Sequence, residues 1–363
     1  MSDGAPLRLY VDPAWRRKGL HAPFMYPFWG NPNEASSLFA KEMFDSFTFD
    51  TTLYTIVDDI SQADMVFAPY RHNWLLHKDP ALLAECIERS RRARLPLLID
   101  GMGDVEHTIG YEHAYVLRIG GYRFLPEKNR IQVPPAADDL LVRCRNGELA
   151  VRSKHDGMPQ VGFAAWVTYS LARRIRTMMK ELPIRAHALF DTRYRACEKG
   201  IFWRQRTVTS LQRSTRVSLL LRARGSFSGS TKTAQDDLRR LREELVETVL
   251  ESDYALDVRG DANEATRLYE ILSLGRIPVI LDTERNFPFG NMVDYRSFAL
   301  VVDFRDIAKL PDIIADFHAR VSPEEYEAMQ RRAREAFLKY FRVDAQMEHI
   351  VRELRSRLAQ KNS

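Results

Sequence analysis

The chain has 363 residues, of which 45% are hydrophobic and 28% charged, a composition typical of a globular protein with ample material for a core. At about 150 residues per domain, this length predicts two domains. No apolar run reaches the roughly 18 residues of a membrane-spanning helix, and the N-terminus lacks a secretory signal pattern. The three cysteines are widely spaced and form no metal-binding pattern. We therefore expect a cytoplasmic protein that holds no metal.

The net charge of +5 is unevenly distributed along the chain. Residues 152–224 contain 16 Lys or Arg and 4 Asp or Glu, so this stretch carries +12 and the remainder −7. Such a basic stretch predicts an anionic partner, whether nucleic acid, phosphate, an acidic glycan or an anionic membrane surface. The alternative is that most of these arginines are solvated on the outer faces of helices.

The first part of the chain alternates strand-like and helix-like segments. Short apolar runs predict strands over residues 7–12, 63–71 and 95–100. Asn33 is the predicted N-cap of one helix, and a second helix is predicted from about 80 to 93. This alternation favours an open parallel sheet with helices on both faces.

A second alternation begins near residue 160. Gly275 is the predicted C-terminal stop of a helix that begins near residue 263. The strands predicted in this half cover residues 160–166, 217–223, 253–260, 277–282 and 298–304. The sequence therefore predicts an α/β protein of two doubly wound halves, divided between about 140 and 160. Ligands bind beyond the carboxyl ends of the strands in such folds.

The most informative segment covers residues 253–289 and reads as strand, glycine turn, helix, Gly-Arg turn and strand. The predicted helix N-terminus at residues 263–266 offers free N–H groups and the positive end of the helix dipole, which suits a phosphate. Arg267 and Glu270 share one face of this helix, where they suit a diphosphate and a ribose diol. The alternative is an ordinary surface ion pair, and the spacing favours neither.

This segment resembles the sugar-nucleotide signature of exostosin-like glycosyltransferases, particularly their bacterial members. The family pattern runs S-x-Y, R-G, N-x-S-x-R-x-Y-E and G-R-I-P-V, followed by an L-P-F turn. The matching residues here are Ser252, Tyr254, Arg259, Gly260, Asn263, Arg267, Tyr269, Glu270, Gly275, Arg276, Ile277, Pro278 and Val279. Weaker matches extend the resemblance over roughly residues 160–341. Ala262 and Ala265 stand where the family has glycine and serine.

The resemblance implies a GT-B fold, with two Rossmann-like halves facing a central cleft. Residues 1–150 would then bind the acceptor and residues 151–363 the nucleotide-sugar donor. The implied reaction is inverting transfer of a sugar, with a UDP-sugar favoured, to a glycan or lipid-linked saccharide acceptor. No metal or cofactor other than the nucleotide-sugar co-substrate is expected. A peripheral contact with the inner face of the membrane is also expected, because the middle of the chain is basic.

Arginines can neutralise the leaving diphosphate in place of a metal, so Arg267 is assigned a catalytic role. Arg222 and Arg224 follow a strongly apolar strand and are expected to assist it. The complete set of expected donor-binding residues is Arg222, Arg224, Arg259, Gly260, Asn263, Thr266, Arg267 and Glu270.

The general base is expected in the loop after the strand at 95–100. Residues 97–108 resemble the region where the family often has a His-Asp pair, and Asp104 falls near that position. Asp100, Glu106 and His107 are alternatives, since each can accept a proton. Asp beside Gly is also ordinary turn chemistry.

Two other function classes stay open at this stage. The same fold could support a sugar-nucleotide epimerase or hydrolase. The basic middle third could belong to a non-catalytic nucleic-acid binder, but no RNA-binding signature or basic–aromatic repeat is present, so nucleic acid is not an expected partner.

Overall fold

The computed structural model describes residues 5–18, 21–31, 38–103, 109–224 and 237–362. The chain forms two compact units. The first consists of Met1–Ile119, Pro126–Pro135 and Arg342–Ser363, and the second of Gly120–Leu125 and Ala136–Phe341.

A six-stranded parallel sheet forms the centre of the first unit, with the order β2–β1–β3–β4–β5–β6. Its strands are β1 (Leu7–Tyr10), β2 (Tyr54–Val57), β3 (Met65–Ala68), β4 (Leu97–Asp100), β5 (Ala114–Arg118) and β6 (Arg130–Gln132). The helices of this stretch are α1 (Tyr26–Trp29), α2 (Leu38–Asp45), α3 (His72–Lys78) and α4 (Pro80–Ala93). The sequence pattern did not predict β2, β5 or β6, and Asn33 lies outside the described residues.

The second unit contains a five-stranded parallel sheet with the order β11–β10–β9–β7–β8. Its strands are β7 (Gln160–Trp166), β8 (Ser218–Arg224), β9 (Tyr254–Asp257), β10 (Pro278–Asp282) and β11 (Leu300–Asp303). Its helices are α5 (Leu140–Arg145), α6 (Leu171–Lys180), α7 (Leu182–Phe190), α8 (Gly200–Gln212), α9 (Leu238–Glu251), α10 (Thr266–Ser273), α11 (Leu310–Arg320) and α12 (Pro323–Ala336). A π-helical turn, Phe337–Phe341, ends the unit.

Alternate residues of these strands pack into two separate cores. Phe163 and Leu256 point to a cluster that includes Trp203 of α8, while Ala164 and Ala255 point to one that includes α9 and α10. Helices therefore cover both faces of the second sheet. The predicted fold class, α/β with doubly wound parallel sheets, is confirmed.

The limits of the units differ from the predicted ranges 1–150 and 151–363 in three places, since 120–125 and 136–150 belong to the second unit and 342–363 to the first. Leu140 and Leu141 of α5 belong to a core of the second unit. The last helix, α13 (Val343–Asn362), belongs instead to the first unit, where Arg355 donates hydrogen bonds to the carbonyls of Ala5 and Leu53. No helix in the described part of the chain is long and apolar enough to cross a membrane.

Two glycines of the second unit are required by their surroundings. A Cβ on Gly162 in β7 would lie 2.3 Å from Ser252 Oγ and 2.6 Å from the Thr248 carbonyl oxygen, so only glycine allows α9 to approach this closely. Gly275 has a φ of 61° and follows the C-cap residue of α10. It confirms the predicted helix stop, because glycine adopts this left-handed conformation without strain.

Candidate functional site

The sheet order of the second unit places a switch point between β7 and β9. β8 lies on one side of β7, and the later strands β9, β10 and β11 lie on its other side. Connections diverge at such a point, which leaves a crevice beyond the carboxyl ends of the two strands. Several of the predicted donor residues follow β9 directly, in the turn 259–260 and in the first half of α10.

Arg267 lies at this point and contacts β7. Its Nη1 donates a 2.6 Å hydrogen bond to the carbonyl oxygen of Ala164, and its Nε is 3.2 Å from Glu270 Oε2. The two side chains are only 18% and 19% exposed. Water therefore screens this pair less than it would a surface ion pair.

A second arginine, Arg204 of α8, reaches the same strand end from the opposite face of the sheet. Its Nε donates to the Arg259 carbonyl at 3.1 Å and its Nη1 to the Trp166 carbonyl at 3.4 Å. Burial, together with the positive charge of Arg267, lowers the pKa of Arg204 to about 10. Sequence reasoning did not find Arg204, because it lies inside a helix and outside every motif.

Arg204 and Arg267 thus form a pair of like charges, called here the arginine pair. Among the described residues, Arg204 forms no salt bridge, and its hydrogen bonds go to backbone carbonyls alone. Arg267 repels the charge of Arg204, while the carboxylates of Asp257 and Asp261 partly offset this repulsion. A bound anion with two negative groups would relieve this repulsion, and a diphosphate is such an anion.

Two further features of the strand ends suit an anionic ligand. The N-cap of α10 is Ala265, which provides no side-chain hydrogen bond, so no side chain caps this helix start. The exposed Thr266 is the first residue of the helix. The Trp166 Nε1 donor, at the end of β7, is buried and has no partner among the described residues. Buried donors of this kind are normally satisfied by protein, water or ligand.

Arg222 and Arg224 lie on the neighbouring edge strand, β8. Arg222 is exposed and lies opposite Ala164 in the parallel register, next to the carbonyl that binds Arg267. Arg224 lies two residues further and donates a 2.6 Å hydrogen bond to the Leu241 carbonyl of α9. Arg222 is therefore the better placed of the two for a ligand.

Two predicted donor contacts, Arg259 and Asn263, form hydrogen bonds with protein groups, and their contact with a donor stays a prediction. Arg259 is 2% exposed and donates to Tyr122 Oη at 2.5 Å and to the carbonyls of Ala196 and Asp261 at 2.8 and 2.7 Å. Its guanidinium is held by protein acceptors, so we assign it to fixing the turn after β9. Gly260 follows it in that turn, and a Cβ there would lie 3.5 Å from Arg204 Nη2, an ordinary contact.

Asn263 is fully buried beside the same turn. Its Nδ2 donates to the carbonyls of Gly121 and Thr283 at 3.0 and 2.8 Å, and its Oδ1 accepts from Thr283 Oγ1 at 2.5 Å. All of these partners are protein groups, and they join the loop before α10 to the end of β10. Asn263 therefore positions α10.

A buried charged cluster lies below this loop. Arg285 Nη1 is 2.7 Å from Asp257 Oδ2 and 3.2 Å from Glu264 Oε1, and all three side chains are buried. Burial raises the pKa of Glu264 to about 7, although Arg285 partly opposes the shift. One guanidinium thus pairs with two carboxylates, which leaves an excess of negative charge. The raised pKa of Glu264 favours its neutral form, and this form removes the excess.

The predicted general base, Asp104, and its neighbours Glu106 and His107 lie outside the described residues. Asp100, at the end of β4 in the first unit, is fully buried. Its Oδ1 accepts a 2.9 Å hydrogen bond from the Met102 N–H, and its Oδ2 has no partner among the described residues. Burial raises the pKa of Asp100. The assignment of Asp104 stays a prediction.

Two other signature residues lie at the amino ends of strands, away from the candidate site. Arg276 Nη1 donates to the Ala150 carbonyl at 2.9 Å and to Gln330 Oε1 at 3.1 Å. Tyr254 Oη is 2.9 Å from His318 Nδ1 in the core. These residues hold helices on the sheet.

The sheet order defines an α/β protein, and the comparisons with known proteins are more specific. Residues 206–317 match the family model of the Exostosin GT47 domain. The Exostosin-1 homolog of Caenorhabditis elegans is 28% identical over 120 residues, which is 33% of this chain and 31% of that protein. The chain thus spans less than a third of that relative. The predicted resemblance to exostosin-like glycosyltransferases is confirmed over this region, which includes Arg267.

Two solved structures are similar over most of this chain. A glycosyltransferase from Rickettsia africae is 11% identical, with a TM-score of 0.38, over 84% of this chain and 78% of its own. HepE of Anabaena, solved in complex with UDP-glucose, is 11% identical, with a TM-score of 0.39, over 97% of this chain and 99% of its own.

Proposed function

We propose that this chain is a glycosyltransferase that moves a sugar from a nucleotide sugar to a saccharide acceptor. The observation that carries the proposal is the arginine pair, Arg204 and Arg267, beside the uncapped start of α10. The pair lies inside or next to the region that matches the exostosin domain. We further propose a UDP-sugar as donor, and a glycan or a lipid-linked saccharide as acceptor.

Each part of the site has a role in this reaction. The acceptor hydroxyl oxygen attacks the anomeric carbon, and the bond from that carbon to the diphosphate oxygen breaks with its electron pair. The arginine pair stabilises the negative charge that grows on the leaving diphosphate. Glu270, one turn deeper in α10, accepts hydrogen bonds from the ribose hydroxyls. Asp104 takes the acceptor proton, and attack from the face opposite the diphosphate inverts the anomeric carbon.

The proposed site needs no divalent metal, because two guanidinium groups supply the positive charge that a metal would supply. Transfer is therefore expected to continue in EDTA. Loss of activity in EDTA with recovery on adding manganese would contradict this part of the proposal.

Calorimetric titration with UDP, UMP and uridine tests the site directly. We expect UDP to bind far more tightly than uridine, since the pair recognises the two phosphates. Arg204→Gln and Arg267→Gln should each weaken UDP binding about 10- to 100-fold, the value of one hydrogen bond to a charged group. Arg216→Gln is the matched control, because Arg216 is exposed and paired with Asp312 and Asp316. Equal binding of UDP and uridine would reject the assignment.

Reaction products then separate transfer from the other activities that the fold could support. UDP released from a UDP-sugar only when an acceptor is present indicates transfer. Equal release without an acceptor would indicate a hydrolase, and a changed sugar on intact nucleotide would indicate an epimerase.

A further inference from the structure

Two consecutive helices of the second unit, α6 and α7, present large apolar side chains to solvent. We call them the α6–α7 hairpin, residues 171–190. Leu171 is 74% exposed, Leu189 83% and Phe190 93%. The other exposed apolar residues of the hairpin are Ile175, Met178, Met179 and Leu182. An apolar group of this size on a folded chain indicates an interaction surface.

The exposed apolar residues form a stripe on each helix. With about 100° per residue, Leu171, Ile175, Met178 and Met179 fall on one side of α6. No residue of α6 is buried, so nothing in the described part of the chain covers this stripe. On α7 the buried Ala188 faces the protein, while Leu182, Leu189 and Phe190 lie on the opposite side.

Five of the six charged residues of the hairpin are cationic. Arg173, Arg174, Arg176 and Lys180 lie on α6 and Arg185 on α7, and neither helix contains an acidic residue. The carboxylate between the helices, Glu181, is buried and accepts a hydrogen bond from the Lys199 N–H. The solvent-facing charge of the hairpin is therefore wholly positive.

A basic groove of about 760 Å³ runs beside the hairpin. Arg174 and Arg185 of the hairpin line it together with Arg206, Arg213 and Arg216 of the segment that follows. Glu198, Asp312 and Asp316 pair with some of these arginines, while Arg174 and Arg213 form no salt bridge among the described residues. The groove thus has cations available for an anionic headgroup.

We propose that the α6–α7 hairpin binds the surface of an anionic lipid bilayer. Apolar stripes flanked by arginine and lysine are the features of helices that lie in the membrane interface. The apolar side chains enter the boundary between headgroups and acyl chains, and the cations contact lipid phosphates. A second copy of this chain is a poor occupant, because it would bring the same positive charge to the contact.

The location links this surface to the candidate site. The hairpin follows the carboxyl end of β7 after four residues, and Arg173 stacks over Trp166 and Tyr169 at 4.5 Å from each ring centre. The bilayer would therefore bind close to the strand end that holds the arginine pair. The binding itself does not depend on the proposed transfer reaction.

Flotation of the full chain with vesicles tests the proposal without donor or acceptor. The probes are phosphatidylcholine vesicles with about one third phosphatidylglycerol, and phosphatidylcholine vesicles alone. We expect binding to the anionic vesicles that weakens with salt, and little binding to the neutral ones. Absence of binding to the anionic vesicles would overturn the proposal.

Paired double variants test whether the α6–α7 hairpin is the part of the chain that binds the vesicles. Leu189→Ser/Phe190→Ser should weaken vesicle binding at least about tenfold, because two large apolar side chains no longer enter the interface. Val142→Ser/Met158→Ser is the control, since it removes two exposed apolar residues outside the hairpin. Equal loss in both double variants would overturn the proposal.

The charges are tested in the same way. Arg176→Gln/Lys180→Gln should weaken binding about fivefold for each charge removed. Lys78→Gln/Lys128→Gln, which removes two exposed cations of the first unit, should leave binding near that of the wild type.

Light scattering tests whether the hairpin instead binds a second copy of the chain. A dimer that dissociates in Leu189→Ser/Phe190→Ser, without vesicle binding, would overturn the proposal and assign the hairpin to a second copy.

Discussion

Charged side chains lie at both ends of the second sheet, and their partners differ between the two ends. At the amino end, Asp253 is fully buried and accepts three hydrogen bonds, from the Gln160 N–H at 2.7 Å, His155 Nε2 at 2.9 Å and Arg152 Nε at 2.9 Å. At the carboxyl end, Arg204 and Arg267 lie near each other and bind backbone carbonyls. Asp253 is thus paired with Arg152 and Arg267 with Glu270, whereas Arg204 forms no salt bridge among the described residues.

The pKa shifts express this difference. Burial raises the pKa of Asp253, but the hydrogen bonds from Gln160, His155 and Arg152 outweigh it and hold that pKa below its ordinary value. At the carboxyl end, burial and Arg267 lower the pKa of Arg204. The surroundings of Asp253 therefore favour its charged form, whereas those of Arg204 disfavour its charged form. A protein tolerates the second situation where a ligand of opposite charge binds.

The largest expected effect comes from removing one member of the arginine pair. Arg204→Ala and Arg267→Ala should each lower the turnover number about 10²- to 10³-fold, because the leaving diphosphate loses one charge-stabilising donor. Arg152→Ala is the matched control, since it removes an arginine from the amino end. It should reduce stability and leave turnover close to that of the wild type. Steady-state kinetics with saturating acceptor measures all three, and near-normal turnover in Arg267→Ala would reject the donor site.

Stability should depend most on the packing near the amino end. Gly162→Ala forces a methyl group against Ser252 and Thr248, and overpacking of this kind costs about 1–3 kcal/mol or more. Gly110→Ala is the control, because nothing lies within 4 Å of a Cβ at that position. Urea unfolding measures both. A fully stable Gly162→Ala would show that α9 can move away from β7.

The sequence predicted eight of the eleven strands in the described part of the chain and missed β2, β5 and β6. β7 matches its predicted range of 160–166, and β10 ends where predicted, because continuous apolar runs bounded by turns are distinctive. β2 and β6 were missed because they are short strands at the two edges of their sheet. Their side chains do not alternate between buried and exposed, so the period-two hydrophobic pattern of a strand is weak in β2 and β6.

The site was predicted in part. Arg267 and Glu270 were assigned to the donor site from a helix start and a family motif, and this assignment stays a prediction. Arg204 comes from a distant helix that only the sheet order brings to β7. No local pattern could have indicated it. Arg259 and Asn263 were assigned to the donor because they match the family signature. Only the structure shows that their partners are protein groups.

Removing the carboxylate at the amino end should give a smaller and pH-dependent loss of stability. Asp253→Asn should destabilise by about 1–3 kcal/mol at neutral pH, because the groups that donate to the carboxylate lose their acceptor. The pKa of Asp253 is lower in the folded chain, so its contribution is present above the unfolded value of about 3.9 and disappears as pH falls through the folded value.

The free energies of unfolding of Asp253→Asn and the wild type should therefore converge as pH falls below about 4. Urea titrations at several pH values measure this convergence. Asp312→Asn is the control, because its carboxylate is 58% exposed, and it should change stability by less than about 0.5 kcal/mol. A difference for Asp253→Asn that stays constant with pH would show that the carboxylate is not the source of the effect.

The smallest expected effect tests whether Glu270 binds the ribose of the donor or only orients Arg267. The ribose changes little during the reaction, so a residue that binds it contributes equally to the ground state and the transition state. Glu270→Ala should therefore raise the Michaelis constant for the donor about fivefold, the value of one hydrogen bond of about 1 kcal/mol, with turnover nearly unchanged. If Glu270 instead acts by orienting Arg267 through their 3.2 Å contact, turnover should fall as it does in Arg267→Ala. The double variant separates the two cases. Effects that multiply indicate independent contacts with ribose and diphosphate, and an effect no larger than that of Arg267→Ala alone indicates a single unit.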